Sequence, residues 1–157
     1  MNSEQIASVL NGVHCFLGVY PANKIPTNNN GKFPYCFVAN MDTASKPGSH
    51  WVAVYIPSQG VVEYFDSFGK WPPANRTLFR FLRTFPTIRK LAIKNKGNGN
   101  VGVQSTNENS CGAHTIFFIR SRIIGQSFHQ IESELRKWGP MSDPMVKFFV
   151  YKWLVKI

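Results

Sequence analysis

Short apolar blocks alternate along the chain with polar segments marked by glycine and proline. Over residues 2–11, Ile6, Val9 and Leu10 recur at helical spacing, which predicts a short amphipathic helix with Ser3 as its cap. An apolar run from Phe16 to Tyr20 follows. Pro21, Pro26 and the polar tract Thr27–Lys32, tipped by Asn28-Asn29-Asn30-Gly31, predict a loop. Tyr35–Asn40 (YCFVAN) predicts a buried strand, and Met41–Ser49, with Pro47 and Gly48 as breakers, a second loop. Trp51–Ile56 (WVAVYI) and Val61–Phe65 (VVEYF) are rich in β-branched and aromatic residues. The link Pro57-Ser58-Gln59-Gly60 makes them an antiparallel hairpin.

The second half turns helical. Asn75 is a candidate cap for a helix over residues 76–85, with Arg76, Arg80 and Arg83 on one face and Leu78, Phe81, Leu82 and Phe85 on the other. Ile88–Lys94 predicts a further strand, Gly97-Asn98-Gly99-Asn100 a turn, and Val101–Val103 a short extended piece that delivers Gln104. After the polar segment Gln104–Ser110, Cys111-Gly112 opens an apolar run, Ile116–Ile119, which predicts a helix capped by Asn109 or Ser110. Another helix is expected over Phe128–Trp138. A last one is expected to start with Asp143 as cap and Pro144 at its first position and to run toward Leu154. No internal repeat is visible. At 157 residues, this order of elements predicts one α+β domain, residues 1–157.

The chemistry concentrates at two places. A hairpin brings its two ends together, so His50, at the entry of the first strand, meets Asp66, at the exit of the second. Cys111, on the first turn of its helix, sits at the positive end of the helix dipole beside unpaired N–H donors, which favour the nucleophilic thiolate. A free cysteine is ordinarily a small buried hydrophobe, and Cys15 and Cys36 read that way. For Cys111 the balance shifts, because thiol chemistry on a carbonyl also needs a base, a group to orient the base and donors for the oxyanion. His50, Asp66 and the Gln104 amide, with backbone N–H groups at Cys111, supply one candidate each. His114 shares the helix face of Cys111 but has no evident acid partner in the sequence, which favours His50 as base. Trp51 is a candidate wall of a substrate cleft; core packing explains it as well.

Charge adds a second theme. Lys plus Arg number 18 against 8 Asp plus Glu, a formal net charge of +10 with a pI near 9.8. Such a field favours polyanions, and Arg76, Arg80, Arg83, Lys90 and Lys94 form a candidate DNA contact; a solvated helix face is the plainer alternative. The 3 cysteines, at positions 15, 36 and 111, fit neither a disulfide framework nor paired zinc ligands. No metal is expected, and the expected setting is an intracellular, reducing compartment. No secretory signal is visible, and no stretch reaches the roughly 20 apolar residues of a membrane span.

Taken in order, His50-Trp51 opening a hairpin, Asp66-Ser67-Phe68-Gly69 leaving it, and Gln104 and Cys111-Gly112 before an apolar helix resemble the adenovirus protease (adenain) family of cysteine peptidases. The resemblance is strongest to the adenain-like proteases of Maverick/Polinton transposons and related viruses. It extends to Gly18-Val19-Tyr20-Pro21, Lys46–Ala53 and Tyr64–Gly69 and covers most of the chain. It implies a mixed sheet packed against the cysteine-bearing helix and a Cys–His–acid mechanism with a glutamine in the oxyanion hole. It further implies cleavage of capsid or core precursors after small residues, a monomer needing no cofactor for the chemistry, activation by DNA or a peptide, and a setting in the host nucleus and virion. The acid here is Asp66, where adenovirus enzymes carry Glu and the related ubiquitin-like-modifier proteases carry Asp. The chain continues for a shorter distance past Cys111 than the adenovirus enzyme, which implies a reduced or absent peptide-receiving segment, and neither Cys15 nor Cys36 is identifiable as a partner thiol for such a peptide. The alternatives are a deubiquitinase or modifier protease and, from another class, a basic DNA-binding module with an inert thiol.

Overall fold

The computed structural model describes residues 1–27, 31–73, 76–90 and 102–155. Its centre is a five-stranded sheet in the order β1 (Phe16–Tyr20), β2 (Tyr35–Asn40), β3 (Trp51–Ser58), β4 (Val61–Phe65), β5 (Thr87–Lys90). The outer pairs β1–β2 and β4–β5 are parallel, and the inner pairs are antiparallel. The hairpin forms as the sequence predicts. Its first strand runs on through Pro57 and Ser58, leaving Gln59-Gly60 at the turn, where Gly60 adopts φ +78°, a conformation glycine reaches without steric cost.

All six residues of β2 are buried because both faces of the sheet are covered. On one face Cys36, Val38, Ala53, Tyr55 and Phe65 pack against α1 (Ser3–Leu10), α3 (Cys111–Ile123), α4 (Phe128–Trp138) and α5 (Ser142–Val155). On the other, Phe37, Val52, Val54 and Tyr64 pack against Leu78, Phe81 and Leu82 of α2 (Thr77–Leu82) and against Ile25. Glu63 of β4 is fully buried, and its charge is met by Arg122 of α3 at 2.7 Å and Arg89 of β5 at 3.1 Å.

Three caps differ from expectation. The cap of α1 is Asn2, not Ser3: its side chain accepts from Gln5 N–H at 2.9 Å while Gln5 Oε1 accepts from Asn2 N–H at 2.9 Å, a reciprocal box that Ser3 is one residue too late to make. Ser110 occupies the N-cap position of α3, yet its hydroxyl donates to Asp143 instead of capping. Asp143 lies inside the first turn of α5, after a 3-10 turn at Gly139–Met141, because its carboxylate is drawn toward the loop before α3. α4 starts on Ser127 with a second capping box. The helix expected over 76–85 is shorter, with Arg76 at its N-cap position and no side-chain cap bond. Asn75, Asn28–Asn30, the outer half of the strand expected to reach Lys94, the turn at 97–100 and Val101 lie outside the described residues. Among the described residues no helix is long and apolar enough to cross a membrane.

The segment 102–104 is laid against the hairpin exit. The N–H groups of Val103 and Gln104 both donate to Ser67 O, at 2.7 and 3.0 Å. Gly102 makes this approach possible: a Cβ there would lie 2.3 Å from Ser67 O and 2.5 Å from Phe68 Cα, both backbone atoms. Gly102→Ala is therefore expected to destabilise the fold by about 1–3 kcal/mol through overpacking. A urea midpoint equal to wild type would show that the segment shifts freely.

Candidate active site

The β3–β4 hairpin places His50 against Asp66, with Nε2 2.7 Å from Asp66 Oδ1. Two further contacts and burial set this pair. Asp66 Oδ1 also accepts from Phe68 N–H at 2.8 Å, which curls the exit of β4 around the carboxylate. The Phe68 ring stacks on the imidazole, with centroids 4.7 Å apart and planes 29° apart. Asp66 is buried and His50 partly buried, so water competes little for their bond. Because Asp66 engages Nε2, Nδ1 is the ring nitrogen left for a second partner.

The candidate for it is Cys111. The start of α3 places the thiol beside His50 and the backbone N–H groups of Trp51 and Gly112, each of which favours its thiolate. Burial disfavours the thiolate, but the His50 bond, the Trp51 N–H, the His50 charge and the Gly112 N–H outweigh it and hold the thiol below its ordinary value. On the imidazole side, burial disfavours the cation. The bonds and charges of Asp66 and Cys111 outweigh it and carry His50 up to about 9. The two shifts agree in direction and favour a thiolate–imidazolium pair, an arrangement able to attack an electrophilic carbonyl and to return a proton to a leaving group.

Gln104 is buried beside the pair's supporting loop. Its Oε1 accepts from Ser67 Oγ at 2.6 Å and its Nε2 donates to Glu108 O at 2.5 Å, which leaves one amide N–H uncommitted. Trp51 takes both roles open to it. It packs on the core beneath, donates Nε1–H to Met1 O at 3.0 Å, and lines a cleft of about 230 Å³ with Tyr20, Asn40, Asp42 and Lys46. A larger groove of about 660 Å³ between α1 and α5 reaches Asn109 and Ser110 but includes none of Cys111, His50 and Asp66. Cys15 and Cys36 are buried with sulfurs 3.6 Å apart, away from this chemistry.

His114 has an acid partner after all. Its Nε2 lies 3.1 Å from Asp143 Oδ1, a pairing across 29 residues that local spacing cannot reveal. Phe68, Ser67 and the Trp51 N–H also go unassigned by residue-type reasoning; the run Asp66-Ser67-Phe68-Gly69 is the signal that carried the first two, and His50-Trp51 the third. The basic residues do not join the thiol site. Arg76, Arg80 and Arg83 sit at or around α2, on the opposite face of the sheet from α3. Lys90 Nζ lies 5.0 Å over the Trp71 ring, where partial burial lowers its pKa. Lys94 lies outside the described residues. Among the described residues no group of three or more His, Cys, Asp or Glu side chains is arranged to hold a metal ion.

No family model matches the chain. It is 29% identical over 136 residues to the cysteine protease S273R of African swine fever virus, a match that takes in 81% of this chain and 46% of that protein. The same protein from another isolate carries the name SUMO-1 cysteine protease and matches at 29% over 100 residues, 58% of this chain and 34% of that protein. A protein of Acanthamoeba polyphaga mimivirus, R355, described as a candidate thiol protease, is 30% identical over 104 residues, 61% of this chain and 32% of that one. The chain thus spans half the length or less of the curated relatives it matches. The central domain of the uncharacterized Lpg1148 protein of Legionella pneumophila shares the fold, with a TM-score of 0.53 over 97% of this chain and 95% of that one at 14% identity.

The ion pair sets a pH signature. Alkylation of Cys111 by iodoacetamide is expected to be fast already at neutral pH, with Cys15 and Cys36 protected by burial. Asp66→Asn removes a bond and a charge that hold the His50 proton, so it is expected to move the alkylation midpoint up. A wild-type profile rising with the midpoint of a free thiol, near about 8.5, would rule the ion pair out.

Proposed function

We propose that this chain is a cysteine endopeptidase of viral or transposon origin, adenain-like, acting through Cys111, His50 and Asp66. The observation that carries the proposal is the Asp66–His50 hydrogen bond with the Cys111 thiol set beside it, where the shifts of both groups favour thiolate and imidazolium. The similarity to viral proteases supports the same reading.

In this mechanism Cys111 Sγ attacks the scissile carbonyl carbon. The oxyanion is received by the uncommitted Gln104 N–H and by backbone N–H at the start of α3, where the helix dipole adds its positive end. His50 Nδ1 gives its proton to the leaving amine, and the acyl group remains on sulfur as a thioester. His50 then takes a proton from water, which attacks the thioester and releases the acid. Asp66 keeps Nε2 protonated throughout and so fixes the tautomer. The substrates assigned are capsid and core precursors cleaved after small residues, as the resemblance implies, with the cleft of about 230 Å³ beside Trp51 as the candidate subsite. The basic set Arg76, Arg80, Arg83, Lys90 and Lys94 is assigned to DNA as an activator; Arg76, Arg80 and Arg83 lie at or around α2, on the far face of the sheet. A second reading, a ubiquitin-like-modifier protease, is favoured by the SUMO-1 name of one relative.

Profiling against a peptide library, with and without DNA and alongside fluorogenic ubiquitin-like substrates, separates the two. Cleavage after small residues, abolished in Cys111→Ala with the fold intact, is the expected result; full activity in that variant ends the proposal. Turnover is expected to be bell-shaped, with its alkaline limb near pH 9, where His50 loses the proton that the leaving group needs. Gln104→Ala is expected to lower kcat by about 10²- to 10³-fold while Cys111 alkylation persists. An unchanged kcat would remove Gln104 from the oxyanion hole.

A further inference from the structure

Besides Glu63, a second buried carboxylate lies outside the proposed mechanism. Asp143, in the first turn of α5, is 4% exposed, and three donors converge on it. Its Oδ2 accepts from Ser105 N–H at 2.9 Å. Its Oδ1 accepts from the Ser110 hydroxyl and from His114 Nε2, the latter at 3.1 Å. Burial disfavours the carboxylate, but these donors hold its pKa below the ordinary range. His114 is fully buried; burial lowers its pKa and keeps it neutral, so Nε2 is the donor. His114 Nδ1 finds no hydrogen-bond partner among the described residues, so Asp143 alone orients this ring.

The positions of the donors matter more than their number. Ser105 directly follows Gln104, and Ser110 directly precedes Cys111. One carboxylate therefore holds both ends of the loop that separates the oxyanion donor from the nucleophile. The neighbouring Ser142 hydroxyl donates to Val103 O, on the other side of Gln104. Lys147, one turn further along α5, reaches Glu108 at 2.5 Å, and Glu108 O in turn receives the Gln104 amide. Every tie is made from α5, an element that contributes no reacting group.

We infer that Asp143 is a positioning residue, fixing the Gln104 amide relative to the Cys111 sulfur by clamping both ends of the 105–110 loop. The inference rests on the peptidase reading above. A hydrogen bond to a buried charge is directional and strong, and a displacement of about 1 Å between reacting groups can cost on the order of 10²-fold in rate. The thiolate–imidazolium pair itself is held from the sheet side by Asp66 and does not need the clamp.

The test is a split between two readouts in Asp143→Asn and Ser110→Ala. The first removes the charge at nearly constant volume; the second deletes one donor and leaves the carboxylate in place. Rates are expressed per alkylatable Cys111, which removes any change in folded fraction. Asp143→Asn is expected to lower kcat by about 10- to 100-fold, with KM within about threefold and the pH profile of Cys111 alkylation unchanged; Ser110→Ala is expected to show the same pattern at smaller size. Wild-type kcat per thiol in both variants overturns the inference, as does a rise in KM at constant kcat or a parallel loss of alkylation. If Asp143→Asn fails to fold, Ser110→Ala alone decides. Wild-type protein that alkylates normally but cleaves no substrate defeats the peptidase reading, and the inference falls with it. Active wild type with unaffected variants defeats only the inference.

Discussion

Two hydrogen bonds to a single carbonyl, Ser67 O, join the halves of the chain on which the site is built. The hairpin carries His50 and Asp66. The loop and helix beyond residue 102 carry Gln104 and Cys111. Only together do they bring the Cys111 thiol to the His50 imidazole. Ser67 supplies the seam twice over, since its hydroxyl also donates to the Gln104 amide oxygen. The absence of a side chain at Gly102 lets two backbones come close enough for the seam to form.

The sheet and its helices were largely legible because their determinants are local. β-branched and aromatic runs in β2–β4 and the apolar periodicity of α1 and α4 act within a few residues. The His50–Asp66 pair was legible for the same reason, since one hairpin brings the two together. What escaped was held by distant partners. Ser110 and Asp143 each read as a helix cap from its neighbours; in the fold they bond to each other across 33 residues. The capping potential of both side chains is diverted into that contact. His114 was set aside for want of an acid that lies on another helix.

Two buried carboxylates serve different ends. Glu63 is neutralised by two arginines, Arg89 and Arg122, and ties β4 to β5 and α3 within the scaffold. Asp143 is met by neutral donors only, a backbone N–H, a hydroxyl and an uncharged imidazole, and it faces the loop before the nucleophile. Guanidinium pairs suit the first role because they neutralise charge in place. Neutral donors suit the second because they direct a loop without placing another cation beside His50.

The Cys111 sulfur proposed to attack carbonyls is also open to peroxide. A thiolate enters the oxidation ladder at sulfenic acid, and the rate follows its ionised fraction and its exposure. Cys111 has its pKa lowered and is partly exposed, whereas Cys15 and Cys36 are shut into the core. Oxidative damage is therefore channelled to the one sulfur in the site. The same charges that favour its thiolate would tie the working life of a Cys111 nucleophile to a supply of reductant.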